Sequence, residues 1–325
     1  MPACSVAGSV KGDLLAQHAQ VTMRHMKHHY VPQFLLSRWA DNTGRLFSFS
    51  RPNGRLVCSR RTPKSTGYED GLYALLADVL GFSRDVVEEK IFARIDDGAA
   101  KALEKLERHE GLSEDDHIAW TFFLSSLRMR QPDTIEFLRT KGMVQLRKSL
   151  ADRDAITLPE GWPTTQEWFA ENHPGVLEAT PLTSWLPRMI FNKEVLDAFA
   201  GLKWWFREFE PGDGRLLLSD LPLYWNGGFS KPGFYIHVPI APNRLFIGTR
   251  TEETEAILSQ ITSAELVQQV NRASIASTTQ RLWASSREDV HAFIEANLDI
   301  MGVDTVTMAT LAFRQGDENE QARAN

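Results

Sequence analysis

The spacing of apolar residues changes several times along the chain, and each change marks a different kind of predicted element. From Asp85 to Leu106, apolar side chains recur at steps of three and four residues, which is the spacing of one face of an amphipathic helix. This stripe consists of Val87, Ile91, Ile95, Ala99, Leu103 and Leu106. Gly98 lowers the helix propensity of the segment, but it does not end the predicted helix.

Further helices are predicted from residues that favour helix ends. Ser113 precedes three acidic residues, which stabilise the first turn of a helix, so a helix is predicted from Ser113 to about Arg130. Pro132 then lies at the entry of another helix or forms a kink between the two. Thr164 and Glu167 have the spacing of a capping box, which predicts one more helix.

Two parts of the chain are predicted to form β-structure. Near the N-terminus, the alternating runs RLFSFS and RLVCSR flank Asn53-Gly54, a dipeptide that favours a hairpin turn. After Lys203, four short aromatic and β-branched runs are separated by Gly, Pro and Asn: KWWFREFE, RLLLS, GFYIHVPI and RLFIGT. They predict an antiparallel sheet of roughly four strands in the C-terminal half. Helical patterns follow it, so the order of elements predicts a predominantly helical α+β fold.

The two ends of the chain show no such periodicity. Residues 1–22 are small and polar, and residues 314–325 are charged and lack core residues. Because such segments bury too little apolar area to offset the entropy of folding, both are predicted to be disordered. No internal repeat or long linker divides the middle, which predicts a single α+β domain over residues 23–313.

The charge of the chain gives no general attraction to phosphate backbones. The formal net charge is −6, and the pI is about 5.9. A local basic patch can still act within an acidic protein, so nucleic acid or a nucleotide stays a candidate partner. One such patch is Arg60, Arg61 and Lys64, beside the predicted hairpin. Its ordinary interpretation is a solvated hairpin end, and its functional one is a phosphate-binding patch.

Cysteine usage and hydropathy favour a cytoplasmic protein. Cys4 and Cys58 are far apart in unlike contexts, which argues against a disulfide scaffold and fits a reducing compartment. The N-terminal segment lacks the basic leader and the continuous apolar core of a signal peptide. The most apolar predicted helix, around HIAWTFFLSSL, is far shorter than the ~20 residues that span a bilayer. No membrane association is therefore expected, and the oligomeric state stays open.

A set of ordered motifs carries a family resemblance. The chain begins its first apolar segment with HHYVPQF and later contains SDLP at the end of a strand pattern. Between and after these come an Arg-x-Pro, a proline-rich strand turn and an asparagine-bearing helix: Arg130 and Pro132, HVPIAPNRLFI, and Asn271 in QQVNRASIA. From Lys27 to about Ile294, this order resembles the bacterial domain of unknown function 4238 family. Leu221 stands where that family more often has asparagine. The resemblance implies a fold and candidate positions, and it implies no reaction.

The stretch HMKHHYVPQFLLSRW contains three histidines, which are candidate metal ligands. On a helix, His25 and His29 would share a face at a spacing that suits zinc. Pro32 disfavours a helix through the residue before it, and no cysteine or carboxylate lies near His28 or its neighbours in sequence. We therefore predict no metal site here. The cofactor stays unknown, since a divalent metal has no clear ligand set.

The same stretch supports a catalytic hypothesis. His29 is the candidate general base or acid, with Asp220 as its orienting partner and Arg130 as a bidentate anion clamp. The predicted substrate-binding residues are His28, Tyr30, Gln33, Ser219 and Asn271. Histidine, aspartate and arginine together suit hydrolysis of a phosphate ester or nucleic acid, as in a nuclease.

A structural interpretation of the same residues stays open. A His-Tyr pair can satisfy buried backbone groups, Asp220 can cap a turn after its strand, and Arg130 can close the end of a helix. The alternative hypothesis is accordingly a non-catalytic protein that binds a ligand or a regulatory partner. Convergence of His29, Asp220, Arg130 and Asn271 in one polar pocket would favour the enzyme.

Overall fold

The computed structural model describes residues 26–303. The predicted disordered segments 1–22 and 314–325, and also His25, lie outside the described residues. The helices, in chain order, are α1 (Gln33–Leu36), α2 (Ala93–Glu107), α3 (Glu114–Met129), α4 (Pro132–Phe137), α5 (Met143–Thr157), α6 (Thr165–Asn172), α7 (Val176–Thr180), α8 (Leu186–Ile190), α9 (Lys193–Ala200), α10 (Glu252–Gln260), α11 (Ser263–Ser277) and α12 (His291–Ala296). The strands are β1 (Lys27–His29), β2 (Leu46–Ser50), β3 (Val57–Arg61), β4 (Tyr68–Asp70), β5 (Lys203–Glu208), β6 (Leu218–Ser219), β7 (Tyr224–Trp225), β8 (Tyr235–Ala241), β9 (Arg244–Thr249) and β10 (Leu282–Ala284).

The predicted helix starts are confirmed at their caps. Ser113 precedes α3, and its side chain accepts a hydrogen bond from the amide of Asp116, whose carboxylate accepts one from the amide of Ser113. Thr164 and Glu167 form the same reciprocal pair before α6. Pro132 is the first residue of α4, where its missing N–H removes no helical hydrogen bond. These ends were readable because a cap is a local feature of the sequence.

The long apolar stripe is also confirmed. A π-helical turn, Glu88–Phe92, leads directly into α2, and the stripe packs into the main core. Gly98 lies where α2 meets α3, and a Cβ at this position would be 3.0 Å from the Cβ of Ala119. The glycine that weakens the helix therefore permits its close approach to a neighbour.

The N-terminal hairpin forms as predicted, but it belongs to a larger sheet. Strands β2 and β3 pair antiparallel, and Asn53 in their connection takes a left-handed conformation with φ 51°. Strand β10 pairs with the other edge of β2 and also with β6, which gives the order β3–β2–β10–β6. The predicted strand RLLLS thus forms β6 in the sheet that contains the hairpin, next to β10, and does not belong to the C-terminal sheet.

The predicted C-terminal antiparallel sheet has four strands in the order β5–β9–β8–β7. The short β7, which is not among the predicted strands, is the fourth strand of this sheet. Because side chains alternate along a strand, Trp204 and Trp205 of β5 lie on opposite faces. Trp204 packs on the main core and Trp205 on a second apolar cluster under α10 and α11. Both are packing residues, so the sheet forms the middle of three layers.

Two smaller observations complete the fold. Strand β1 pairs with β4 in a separate two-stranded sheet, with His29 opposite Tyr68. In residues 26–303, we find no helix with the length and apolar character needed to cross a membrane.

Candidate functional site

The signature HHYVPQF opens with a strand and then enters a short helix. His28 and His29 are neighbours in β1, so their side chains leave opposite faces of the strand. Pro32 has extended backbone angles and precedes α1. A helical pair of histidines at i and i+4 therefore does not form at His29. Within residues 26–303, no group of three or more His, Cys, Asp or Glu side chains is arranged to hold a metal ion.

His28 is buried and held at both ring nitrogens. Its Nδ1 accepts a hydrogen bond of 2.8 Å from the backbone N–H of Tyr73, so its Nε2 carries the proton and donates to Asp85 at 3.1 Å. The imidazole also stacks on the Tyr73 ring, with centroids 5.4 Å apart. Burial lowers the pKa of His28, and the charge of Asp85 opposes this effect. The neutral ring therefore connects β1 by hydrogen bonds to the segment that precedes α2.

His29 has one ring nitrogen left over. Its Nδ1 lies 3.3 Å from Nε2 of Gln33, while its Nε2 is buried without a hydrogen-bond partner among the described residues. Burial lowers the pKa of His29 to about 4, so the ring is neutral at pH 7. The ring lies against Tyr68, with centroids 5.4 Å apart. Of the two signature histidines, His29 is the one with a ring nitrogen that forms no hydrogen bond of normal geometry, although the backbone of Pro63 and Lys27 near the ring favours its protonated form.

Arg130 is fully buried, and its guanidinium is engaged within the protein. It forms a bidentate ion pair with Asp96, at 2.7 and 3.1 Å, and its Nη2 donates to the carbonyl of His29 at 2.9 Å. The guanidinium also lies 4.6 Å from the centroid of Phe92. The backbone carbonyl of Arg130 accepts a 2.5 Å hydrogen bond from the hydroxyl of Tyr73. Arg130 thus joins the end of α3 to α2 and to β1.

Three acidic residues beside this cluster were not among the predicted site residues. They are Asp85, Glu88 and Asp96, which lie before and within α2. Burial raises the pKa of Glu88 to about 7, with Arg130 opposing and the neighbouring carboxylates reinforcing the shift. Oε2 of Glu88 is buried without a hydrogen-bond partner among the described residues. A signal for them is present in the sequence. Carboxylates at positions 85, 88 and 96 lie close to the apolar stripe of a predicted core helix, where charged residues are unusual.

Asp220 follows β6 and holds the loop after α11. Its carboxylate accepts hydrogen bonds from the backbone amides of Thr279, Gln280 and Arg281 at 2.8, 2.6 and 2.8 Å. A fourth comes from the hydroxyl of Thr279 at 2.9 Å. Burial raises the pKa of Asp220, while these donors oppose the shift. All four bonds fix the backbone conformation of residues 279–281.

The other predicted residues of this half are also engaged in hydrogen bonds. Oδ1 of Asn271 accepts from the amide of Leu217, and its Nδ2 donates to the carbonyl of Arg215, each at 2.8 Å. Oγ of Ser219 accepts from the amide of Leu221 at 3.1 Å and lies 3.1 Å from Oγ of Ser277. Together they attach α11 to β6.

Tyr30, rather than His29, lies beside Asp220. Burial raises the pKa of Tyr30, the charge of Asp220 adds to this shift, and Arg281 opposes it. The carboxylate of Asp220 has all its hydrogen bonds with residues 279–281 in the described chain, and none with His29.

The structure thus forms two groups from the predicted residues. The first contains His28, the backbone of His29 and Arg130. The second contains Tyr30, Ser219, Asp220 and Asn271. The catalytic roles of His29, Asp220 and Arg130 stay a prediction.

An open cavity of about 410 Å³ borders the second group. The loop that Asp220 fixes lines one side of it, with Gln280 and Arg281, and Arg51 after β2 lines the other. Arg51 also donates to the carbonyl of Leu298 at 2.6 Å, which holds its guanidinium at the rim. Among the described residues that line the cavity, none is acidic. We call this the Arg51–Arg281 pocket.

The predicted basic patch of the hairpin is a weaker candidate. Arg60 forms an ion pair with Asp41 and contacts the ring of Phe47. Arg60 and Arg61 lie in β3 and are exposed. A charge that is already paired on an exposed strand fits the solvated hairpin end better than a phosphate site.

Comparison with models of known protein families shows to which family the chain belongs. Residues 27–288 match the family described as "Protein of unknown function (DUF4238)". The chain belongs to this family. No curated protein and no solved structure matches the chain. The DUF4238 match includes the HHYVPQF and SDLP segments, so both groups of buried polar side chains lie within the family region.

Proposed function

We propose that the protein binds an anionic, phosphate-bearing ligand in the Arg51–Arg281 pocket and does not convert it. The observation that carries this proposal is the composition of the pocket wall. Two arginines line a cavity of about 410 Å³, and none of its described lining residues is acidic. Guanidinium groups bind phosphate oxygens by paired hydrogen bonds, and a phosphate group has enough oxygens to pair with two guanidinium groups at one cavity.

The local charge of the pocket matters because the whole chain is acidic. A protein with a net charge of −6 repels polyanions at long range. Binding at this pocket therefore depends on short-range contacts with Arg51 and Arg281. This favours a small ligand, such as a nucleotide or a strand end, over a long duplex, which would contact much of the surrounding surface.

The family motifs support binding by building the pocket wall. Asp220 fixes the backbone of residues 279–281, and the side chain of Arg281 in the same loop is hydrogen-bonded to the hydroxyl of Tyr30. A preorganised loop loses little conformational entropy when a ligand arrives. The motifs HHYVPQF and SDLP, which are distant in sequence, thus contribute to one rigid wall.

The engagement of the predicted catalytic side chains argues for binding without turnover. Arg130 is paired with Asp96, and Asp220 is paired with residues 279–281. A general base needs an orienting group within hydrogen-bond reach, and Asp220 forms no such bond with His29.

A second candidate function, hydrolysis of a phosphate ester or nucleic acid, is favoured by one observation. Glu88 has a pKa of about 7 and an unpaired buried oxygen near Arg130. A carboxyl that titrates near neutral pH is suited to acid–base chemistry.

The binding proposal is tested by titrating the purified protein with inorganic phosphate, ATP and a short single-stranded RNA by calorimetry. We expect ATP or RNA to bind, and the affinity to fall at least tenfold in Arg281→Gln, since charge-assisted hydrogen bonds contribute about 1.5–3 kcal/mol. Arg55→Gln is the matched control, because Arg55 is exposed near the pocket but does not line it. The absence of any binding, or equal affinity in Arg281→Gln and Arg55→Gln, would refute the proposal.

The same mixtures, incubated with and without a divalent metal, decide about turnover. Intact ligand after incubation supports binding alone. If a ligand is hydrolysed, the variants Glu88→Gln and His29→Ala show which of the two candidate groups the reaction needs.

A further inference from the structure

A second cavity, unrelated to the Arg51–Arg281 pocket, lies between the C-terminal sheet and helices α10 and α11. Its volume is about 140 Å³. An apolar protein cavity of about 150 Å³ holds one benzene molecule, so this space has the size of a single aromatic ring. Leu245 and Ile247 of β9 supply apolar wall from below, and Leu258 and Val270 supply it from the helices.

One wall of this cavity is a cluster of three aromatic rings. Tyr224 of β7 is the cross-strand partner of His237 in β8, and Tyr235 lies two residues before His237 on the same face. The rings of Tyr224 and His237 stack at 4.6 Å and 18°, and those of Tyr235 and His237 at 6.3 Å and 22°. His237 is therefore nearly parallel to each tyrosine ring, while the two tyrosine rings are tilted by 40° to one another at 6.1 Å.

His237 is the polar group of this wall that lacks a partner. Only 7% of the residue is exposed, and its Nδ1 is buried without a hydrogen bond among the described residues. Burial lowers the pKa of His237 to about 3, so the imidazole is neutral at pH 7. Leaving a buried ring nitrogen unpaired costs free energy that a bound hydrogen-bonding group would recover.

The lining of the cavity excludes a charged occupant. None of its described lining residues is Lys, Arg, Asp or Glu. Burial and the nearby Tyr224 raise the pKa of Tyr235 to about 12, so this phenol is also neutral at pH 7. An ionised ligand would lose its hydration and gain no opposite charge.

We propose that this cavity binds a neutral single-ring aromatic molecule that carries a hydroxyl group, with the hydroxyl paired to Nδ1 of His237. The apolar walls and the stacked rings accept the aromatic ring, while Nδ1 selects the polar substituent. A hydroxyl both donates and accepts, so it pairs with either tautomer of the neutral imidazole. The inference concerns a different cavity from the proposed function and does not depend on it.

The proposal is tested by methyl NMR of the whole wild-type protein, titrated with phenol, benzene and benzoate. We expect phenol to shift the methyl signals of Leu258 and Val270 in a saturable way. One additional hydrogen bond should make phenol bind about tenfold more tightly than benzene. Benzoate should cause no shift at these methyls. If phenol does not shift the methyl signals of Leu258 and Val270 in the wild-type protein, the proposal is wrong.

Two variants locate the binding and the hydrogen bond. Ala273→Leu places bulk in the cavity wall, and we expect it to weaken phenol binding at least tenfold, while Ala256→Leu on the exposed face of α10 leaves it unchanged. His237→Phe keeps a ring but removes Nδ1, so the preference for phenol over benzene should disappear. Unchanged binding in Ala273→Leu, or an unchanged preference in His237→Phe, would contradict the proposal.

Discussion

The carboxylate of Asp220 illustrates how one buried side chain determines a loop. It accepts three backbone amides and one hydroxyl, all from residues 279–281. Replacing Asp220 with Asn turns one acceptor oxygen into a donor that faces other donors. We expect Asp220→Asn to lower the free energy of unfolding by about 2–5 kcal/mol, because buried donors lose their partner. Urea denaturation measures this loss.

A matched carboxylate separates this effect from a general change of charge. Asp289 is exposed and lies eight residues beyond the same loop. Asp289→Asn should change the free energy of unfolding by no more than about 0.5 kcal/mol. Similar losses in the two variants would mean that the four hydrogen bonds of Asp220 contribute little to stability.

At the same scale, the sequence identified residue types better than residue partners. Asp220, Arg130 and Asn271 are candidate site residues from the sequence, but their hydrogen-bond partners lie up to 101 residues away, as between Arg130 and His29. Hydrogen bonds at such separation leave no periodic signal. The pairing of His29 with Asp220 was therefore a hypothesis about contact that composition could not support, and Tyr30 occupies the place next to Asp220.

The contact between α2 and α3 depends on a residue without a side chain. A Cβ at Gly98 would lie 3.0 Å from the Cβ of Ala119, and neither atom can rotate away. Helix propensity alone predicts that replacing Gly98 would stabilise α2 by up to about 1 kcal/mol. We expect the opposite for Gly98→Val, a loss of about 1–3 kcal/mol, because the two helices must separate.

Thermal denaturation followed by circular dichroism measures the effect of Gly98→Val. Gly111→Ala is a suitable control, since no atom lies within 4 Å of a Cβ built at Gly111. A stabilised Gly98→Val variant would show that the helices can move apart without cost.

Elements were predictable where their signals are local. The caps at Ser113 and Thr164, the stripe of α2 and the turn at Asn53 all lie within a few residues of the structure that they determine. Strands β6 and β7 have two residues each, which is too short to show alternation. The pairing of β2 with β10 joins residues more than 230 positions apart, such as Phe49 and Leu282, and no local pattern could indicate it.

Across the whole molecule, two buried groups give stability opposite dependences on pH. Burial lowers the pKa of His29 from its ordinary 6.5 to about 4, so only the unfolded chain is protonated there between these values. This contribution to stability rises with pH. Burial raises the pKa of Glu88 from 4.5 to about 7, so only the folded chain keeps that proton in between. This contribution falls as pH rises.

The two contributions separate when each residue is removed. Measured against His29→Gln, the wild-type protein should gain about 3 kcal/mol of unfolding free energy as pH rises from 4 to 6.5. Measured against Glu88→Gln, it should lose about 3 kcal/mol as pH rises from 4.5 to 7. Urea denaturation over this pH range tests both slopes, and slopes of equal sign would show that one group is not buried as described.

The position of β10 in the middle of its sheet has a consequence for synthesis on the ribosome. Strand β10 hydrogen-bonds to β2 on one side and to β6 on the other, and the loop that precedes it carries the amides that Asp220 binds. A nascent chain that has not yet been synthesised to residue 284 lacks β10, the strand that joins β2 to β6. Until β10 is synthesised, the edge of β2 that pairs with it stays without a partner strand. An unpaired strand edge is a site of aggregation. The sheet β3–β2–β10–β6 can therefore be completed only near the end of synthesis of the chain.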